Sequence, residues 1–156
     1  MNLANKISDQ ICFIATAEPL DDEMASRIRT HRAERPSHWL TVEEPRNLSI
    51  ALQKAAEPNV VIVDCLTLFV SNWMMAEPDV DVMNSKVIEA TNDFLKTVSN
   101  QEQSVICVSN EVGLGLVPDN ALGRTYRDIL GRVNQLVAAA ADRVYLVVAG
   151  LPLQIK

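Results

Sequence analysis

No apolar run in the 156 residues reaches the roughly 18–20 residues needed to cross a bilayer. The best stretch, Leu136 to Val148, is broken by Asp142 and Arg143. The opening residues Met1-Asn2-Leu3-Ala4-Asn5-Lys6 lack the apolar block of a signal peptide. An excess of basic residues is also missing. The formal net charge is −6, which argues against a surface that coats nucleic acid or anionic membrane, although a local basic patch can still hold phosphate. There are three cysteines, Cys12, Cys65 and Cys107, and none has a second cysteine at metal-ligand spacing. Each lies in or beside an apolar run and reads as a small buried residue. An odd count without a secretory segment points to a reducing, cytoplasmic setting. With 48% apolar and 22% charged residues, the composition is that of an ordinary globular chain. Its length predicts one domain over 1–156.

Four short runs read as strands: Gln10–Thr16, Val60–Asp64, Ser104–Ser109 and Val144–Val148. They are nearly continuous in apolar and β-branched residues, the pattern of parallel strands covered on both faces. Leu153–Lys156 is expected as a further edge strand. Helical patterns separate them: Asp21–Glu34, which opens with three acids, Pro45–Ala56, Val82–Ser99, and Ala121–Ala141 with its stripe of Leu122, Tyr126, Ile129, Val133 and Leu136. This alternation predicts an α/β fold with a mostly parallel sheet and helices on both faces. Ligands in such folds bind beyond the C-terminal ends of the strands.

At those ends the first strand runs into Ala15-Thr16-Ala17, small residues that permit close approach, with one hydroxyl. The next helix carries Arg27, Arg29, His31, Arg32 and Arg35 and ends before Pro36. Met24, Ile28 and His31 share a face, so His31 can be a packed histidine. Alternatively, four arginines disfavour its cationic form, and neutral imidazole is a nucleophile. The arginines would then bind phosphates and stabilise charge on a transferring phosphoryl group. His38 reads as a loop histidine. Val60–Asp64 ends four apolar residues with a carboxylate, where a phosphate-transfer enzyme holds Mg²⁺. Glu111 is a candidate second acid, beside Gly113 and Gly115, which do not complete a phosphate loop. Arg124, Arg127 and Arg132 read as a solvated face. Gly131, in mid-helix, suggests close contact with a neighbour. Trp39, Trp73, Met74 and Met75 read as core residues, with a ligand contact as the alternative.

Three motifs occur together and in order: R-I-x-x-H-R-x-x-R-P-x-x-W from Arg27, S-N-E-V-G-x-G-x-V-P from Ser109, and Y-R-D-x-x-G-x-x-N-Q from Tyr126. With the segments 13–45, 60–72 and 105–156 in which they lie, they resemble the bifunctional adenosylcobinamide kinase/adenosylcobinamide-phosphate guanylyltransferase family of cobalamin biosynthesis. The resemblance implies two reactions. A phosphoryl group passes from ATP or GTP to the aminopropanol hydroxyl of adenosylcobinamide. GMP then passes from GTP to adenosylcobinamide phosphate through a histidine–GMP intermediate. It implies that His31 is the nucleophile, and that nucleotide contacts fall on Ala15, Thr16, Ala17, Arg32, Ala33, Glu34, Arg35, Glu43 and Asp64. Asp64 would also serve Mg²⁺. A P-loop NTPase-like sheet and a homotrimer are further implications.

The family pattern begins with a strand and a loop of the form G-G-x-R-S-G-K-S. No G-x-x-x-x-G-K-[ST] occurs in the 156 residues, and Met1–Ser8 reads as the tail of the helix that follows such a loop. The expectation is a sheet without its first strand and phosphate loop. If that loop is lost from the protein, the kinase step is expected to fail and guanylyl transfer to weaken. The alternative is a truncated, non-catalytic relative that binds nucleotide or corrinoid.

Overall fold

A computed structural model describes residues 2–156. Four parallel strands form the sheet: β1 (Ile11–Ala15), β2 (Leu40–Glu43), β3 (Val60–Asp64) and β4 (Ser104–Val108), in the order β2-β1-β3-β4. The helices are α1 (Asn2–Asn5), α2 (Asp22–Ala33), α3 (Leu48–Lys54), α4 (Leu66–Ala76), α5 (Val80–Ser99) and α6 (Ala121–Ala140). The α/β class and the parallel sheet are as the sequence predicts.

Alternation along the strands sorts the core into two layers. Cys12, Ile14, Val61 and Val63 point to one face, where α3, α4, α5 and α6 bring Leu48, Leu52, Phe69, Val70, Val87, Phe94, Leu130 and Val133. Ile11, Phe13, Ala15, Val60 and Ile62 point to the other. There the cover is thinner, chiefly Ala4 of α1 and the ring of Trp39. Helices thus flank the sheet very unequally. Cys12 is fully buried, and burial pushes its thiol pKa up to about 11, as the reading of an inert core residue requires. Trp39 is buried too, and Trp73 and Met74 pack against the main core, whereas Met75 is exposed.

Two expectations need correction. Val144–Val148 was expected to be a parallel strand covered on both faces. Instead β5 (Tyr145–Val148) pairs antiparallel with β6 (Leu151–Gln154) in a separate, largely exposed hairpin. Ala149 (φ 50°) and Gly150 (φ 80°) reverse the chain between them. Two consecutive positive φ angles make the tight turn that pairs neighbouring strands, so β5 finds its partner within six residues. The same turn shifts the expected edge strand from Leu153–Lys156 to Leu151–Gln154. Gly131 is the second correction: a Cβ added there meets no heavy atom within 4 Å, so no close neighbour demands glycine.

Gly123 is the opposite case. Its added Cβ would lie 2.7 Å from Cβ of Pro118 and 3.1 Å from Oδ1 of Asn120, the residue that caps α6 by accepting from Gly123 N–H. Urea unfolding should therefore separate the two glycines. Gly131→Ala should raise stability by about 1 kcal/mol, the helix-propensity difference, while Gly123→Ala should lower it by about 1–2 kcal/mol. Equal effects at both positions would contradict this assignment.

Candidate active site

The register of the sheet builds the site. Ala15 is aligned with Glu43 on one side and with Asp64 on the other, so the last residues of β2, β1 and β3 form a row. Strand spacing places the Cα atoms of Glu43 and Asp64 about 10 Å apart across Ala15. The aligned residues share a face, the thinly covered one that carries Phe13 and Ile62. Two carboxylates thus flank a small residue at the C-terminal edge of the sheet, where α/β folds bind ligands.

A buried lock holds this edge in place. Thr16 is fully buried. Its hydroxyl donates to the Cys65 carbonyl and accepts from Cys65 N–H, each at 2.8 Å, while its own N–H donates to the Asp64 carbonyl at 3.1 Å. Asn72 of α4, also buried, donates through Nδ2 to the carbonyls of Thr16 (2.7 Å) and Pro45 (3.0 Å). The Thr16 hydroxyl donates one hydrogen bond and accepts one within the chain. The hydroxyl thereby ties the exits of β1 and β3 together.

Above this edge comes α2. Asp21 caps it by accepting from Met24 N–H at 2.7 Å, and Asp22 and Glu23 occupy its first turn. None of its residues is buried. His31 lies in its last turn and is exposed, so the alternative of a histidine sealed in the core does not apply. Three of the four arginines around it, Arg27, Arg32 and Arg35, are engaged within the chain. Arg27 pairs with Glu23 at 2.7 Å within the helix. Arg32 reaches Glu43 at 3.3 Å. Arg35 lies over the ring of Phe13, 3.7 Å from its centroid. Loss of water pulls the pKa of the Arg35 guanidinium below its ordinary value; Asp64 opposes that shift, Arg32 adds to it and Glu43 opposes it. Arg32, Arg35, Glu43 and Asp64 thus form one electrostatic cluster at the row of strand ends.

Of the other expected contacts, Ala15 is in the row and Ala17 follows in the connecting loop, half-buried. Ala33 and Glu34 are exposed where α2 ends, and Glu34 closes the helix through its backbone N–H. His38 is exposed in the turn beyond. Glu111 is also exposed and accepts from Gly113 N–H, capping a short turn at Val112–Leu114. No group of three or more His, Cys, Asp or Glu gathers at metal-binding distance among the described residues.

Sequence reasoning missed a second network, at the end of β4. Asn110 donates to the Thr67 hydroxyl through its backbone N–H (3.1 Å) and Nδ2 (3.0 Å). Ser109 donates to Oδ1 of Asn134 at 2.6 Å, Asn134 Nδ2 donates to the Asn110 carbonyl, and the Tyr126 hydroxyl donates to the Thr67 carbonyl. Arg127 donates to the Gly113 carbonyl and Arg124 to those of Pro118 and Asp119. Two arginines of the expected solvated face, Arg124 and Arg127, therefore hold the glycine-bearing loop, while Arg132 stays exposed. The signal was present in the paired motifs from Ser109 and Tyr126, which the fold brings together.

A family model described as cobinamide kinase / cobinamide phosphate guanyltransferase matches residues 1–155. Among similar proteins, one named bifunctional adenosylcobalamin biosynthesis protein CobU, from Escherichia coli, is 40% identical over 158 residues, covering 96% of this chain and 87% of that protein. A protein of the same name from Salmonella typhimurium is 40% identical over 156 residues, covering 94% of this chain and 86% of its own length. Another, bifunctional adenosylcobalamin biosynthesis protein CobP from Pseudomonas aeruginosa, is 40% identical over 147 residues, covering 94% and 82%. Matched along nearly its whole length by both comparisons, the chain belongs to the cobinamide kinase / cobinamide phosphate guanyltransferase family.

Proposed function

We propose that this chain acts in both reactions of its family, phosphorylating adenosylcobinamide with ATP or GTP and then transferring GMP to adenosylcobinamide phosphate. The observation that carries the reading is the cluster of Arg32, Arg35, Glu43 and Asp64 at the row of strand ends, with His31 exposed in the same helix turn. In the transfer, an imidazole nitrogen of His31 attacks the α-phosphorus of GTP. The bond to the β-phosphate oxygen breaks, and pyrophosphate leaves with that electron pair. The phosphate oxygen of adenosylcobinamide phosphate then attacks the same phosphorus, the P–N bond breaks, and the imidazole is restored. Arg32 and Arg35 offset charge on the transferring group, and backbone at Ala15, Ala17, Ala33 and Glu34 contacts the nucleotide.

Mg²⁺ suits this donor set. Magnesium keeps several waters and takes one or two carboxylates together with substrate phosphates, and Asp64 at the end of β3 offers one such carboxylate. When bound, it neutralises charge on the phosphates. We further infer a cytoplasmic location, which three free cysteines suit, and assembly as a homotrimer, on the ground of family membership. No helix among the described residues is long and apolar enough to cross a membrane.

Incubation with GTP labelled at the α-phosphorus, with Mg²⁺, tests the reading. The expected product is an acid-labile, base-stable adduct on the protein, discharged by added pyrophosphate. GTP binding without any adduct, measured by calorimetry, would instead favour a non-catalytic nucleotide-binding relative. That alternative draws on the lack of a G-x-x-x-x-G-K-[ST] motif within these residues.

A further inference from the structure

The arginines at the end of α2 are committed in different ways. Among the described residues, arginine side chains that donate hydrogen bonds are those of Arg32, Arg124 and Arg127, and those in ion pairs are Arg27 and Arg32. Arg35 is in neither group. Asp64 and Glu43 act on its charge through space, yet neither carboxylate comes within the 4.0 Å of an ion pair. What holds Arg35 is a ring: its Cζ stands 3.7 Å over the centroid of Phe13. That is a stacking distance, and a guanidinium stacked on an aromatic face keeps its N–H donors in its own plane, free for other partners.

Phe13 is well placed for this. It sits in β1, paired with Thr41 of β2 and Ile62 of β3, and is 5% exposed. It precedes Ala15 by two residues, so the two share a face and the ring lies about 7 Å below the row of strand ends. From this geometry we propose that Phe13 is a positioning residue: its ring holds the Arg35 guanidinium at that row with the N–H fork open to a phosphate of the nucleotide. The proposal rests on the reading of the strand ends as a nucleotide site. It distinguishes Arg35 from Arg32, which a phosphate must first share with Glu43. Without the ring, Arg35 would be a long flexible cation beside two carboxylates, free to collapse onto either. Phe13 also fills the second core layer beside Ile11 and Ile62. That packing needs only hydrocarbon of similar volume, which methionine supplies without an aromatic face.

A double-mutant cycle on the full chain, read by calorimetry of GTP binding with Mg²⁺, tests the role. Phe13→Met should weaken GTP by roughly 5- to 30-fold, the range for a partly desolvated guanidinium losing its aromatic partner. Phe13→Tyr keeps the ring face and should bind within about twofold of the parent. In the Arg35→Ala protein, Phe13→Met should cost less than about twofold, because the ring acts through the guanidinium. Equal weakening in both backgrounds makes Phe13 a packing residue and overturns the proposal, as does parent-like affinity in Phe13→Met or in Arg35→Ala. A second measurement needs neither nucleotide nor a substituted core. In the ¹H–¹⁵N spectrum of the parent, the Arg35 Nε–H signal, identified by its loss in Arg35→Lys, should be displaced by the ring current of Phe13. A signal grouped with those of the exposed arginines overturns the proposal as well. A parent that binds no GTP fails the nucleotide-site reading and the proposal with it, whereas a parent that binds but shows an additive cycle fails the positioning role alone. Neither measurement requires transfer to His31, so failure to form a GMP adduct would count against guanylyl transfer only.

Discussion

His31→Ala should eliminate the GMP adduct, lowering guanylyl transfer at least roughly a thousandfold, because no other group supplies the attacking nitrogen. The sequence makes the test unusually clean. It holds only two histidines, His31 and His38, so an acid-labile, base-stable phosphoramidate on histidine has two possible addresses. Both are exposed, and truncating either removes no buried contact. His38→Ala is the matched control and should form adduct as the parent does. Labelling the two variants side by side with the same GTP decides the matter. Full adduct in the His31→Ala protein, or its loss only in His38→Ala, would move the nucleophile out of α2. GTP affinity should fall far less than adduct yield, since the arginines and strand ends that hold the nucleotide stay in place. A parallel collapse of binding would show that His31 contributes to the ground state and not chiefly to the transfer.

Thr16→Val should have the second large effect, on stability. The substitution keeps the shape of the side chain, so no cavity complicates the result. It removes the oxygen that serves both the N–H and the carbonyl of Cys65. Leaving two such groups without partners costs about 2–4 kcal/mol in all. Thr16→Ser retains the oxygen, loses one methyl group and should cost only about 1 kcal/mol. Urea denaturation of the three proteins gives these differences directly. A Thr16→Val protein as stable as Thr16→Ser would mean that the lock between β1 and β3 contributes little. Transfer activity should fall with Thr16→Val even well below its unfolding midpoint, because the lock also holds Asp64 in line with Ala15.

The contrast between Thr16 and Asp64 shows what could be read from the chain. Asp64 closes a run of four apolar residues, so its place at a strand end followed from pattern alone. Thr16 stood out for its hydroxyl, but nothing local revealed that Cys65, 49 positions away, takes both sides of that hydroxyl. The motifs around His31 and Ser109 were visible as unusual strings; that Asn134 and Tyr126 fasten the second of them emerged only with α6 in place. Two elements escaped entirely. β2 is a four-residue strand in which Leu40 and Glu43 are exposed, too short to show alternation. α4 reads Leu-Thr-Leu-Phe-Val-Ser-Asn-Trp-Met-Met-Ala, rich in β-branched and aromatic residues on several sides, so it lacks the stripe that marks a helix. The hairpin at the C-terminal end was misplaced because its continuous apolar run reads as a strand covered on both faces, whereas the turn at Ala149 and Gly150 pairs it locally and leaves it largely exposed.

A helix without a single buried residue is a loose mount for the proposed nucleophile. An exposed Arg32–Glu43 pair gives at most about 1 kcal/mol, and a guanidinium over an aromatic ring about 1–2 kcal/mol. With roughly 2 kcal/mol of docking energy, α2 would detach in about a few per cent of molecules at any moment, without disturbing the sheet beneath. Its amides should then exchange with solvent long before those of α6, which is pinned by Leu130 and Val133 in the main core. Such yielding suits a ring that has to visit two partners in turn, a small nucleotide and then a corrinoid many times bulkier, on one unchanging platform.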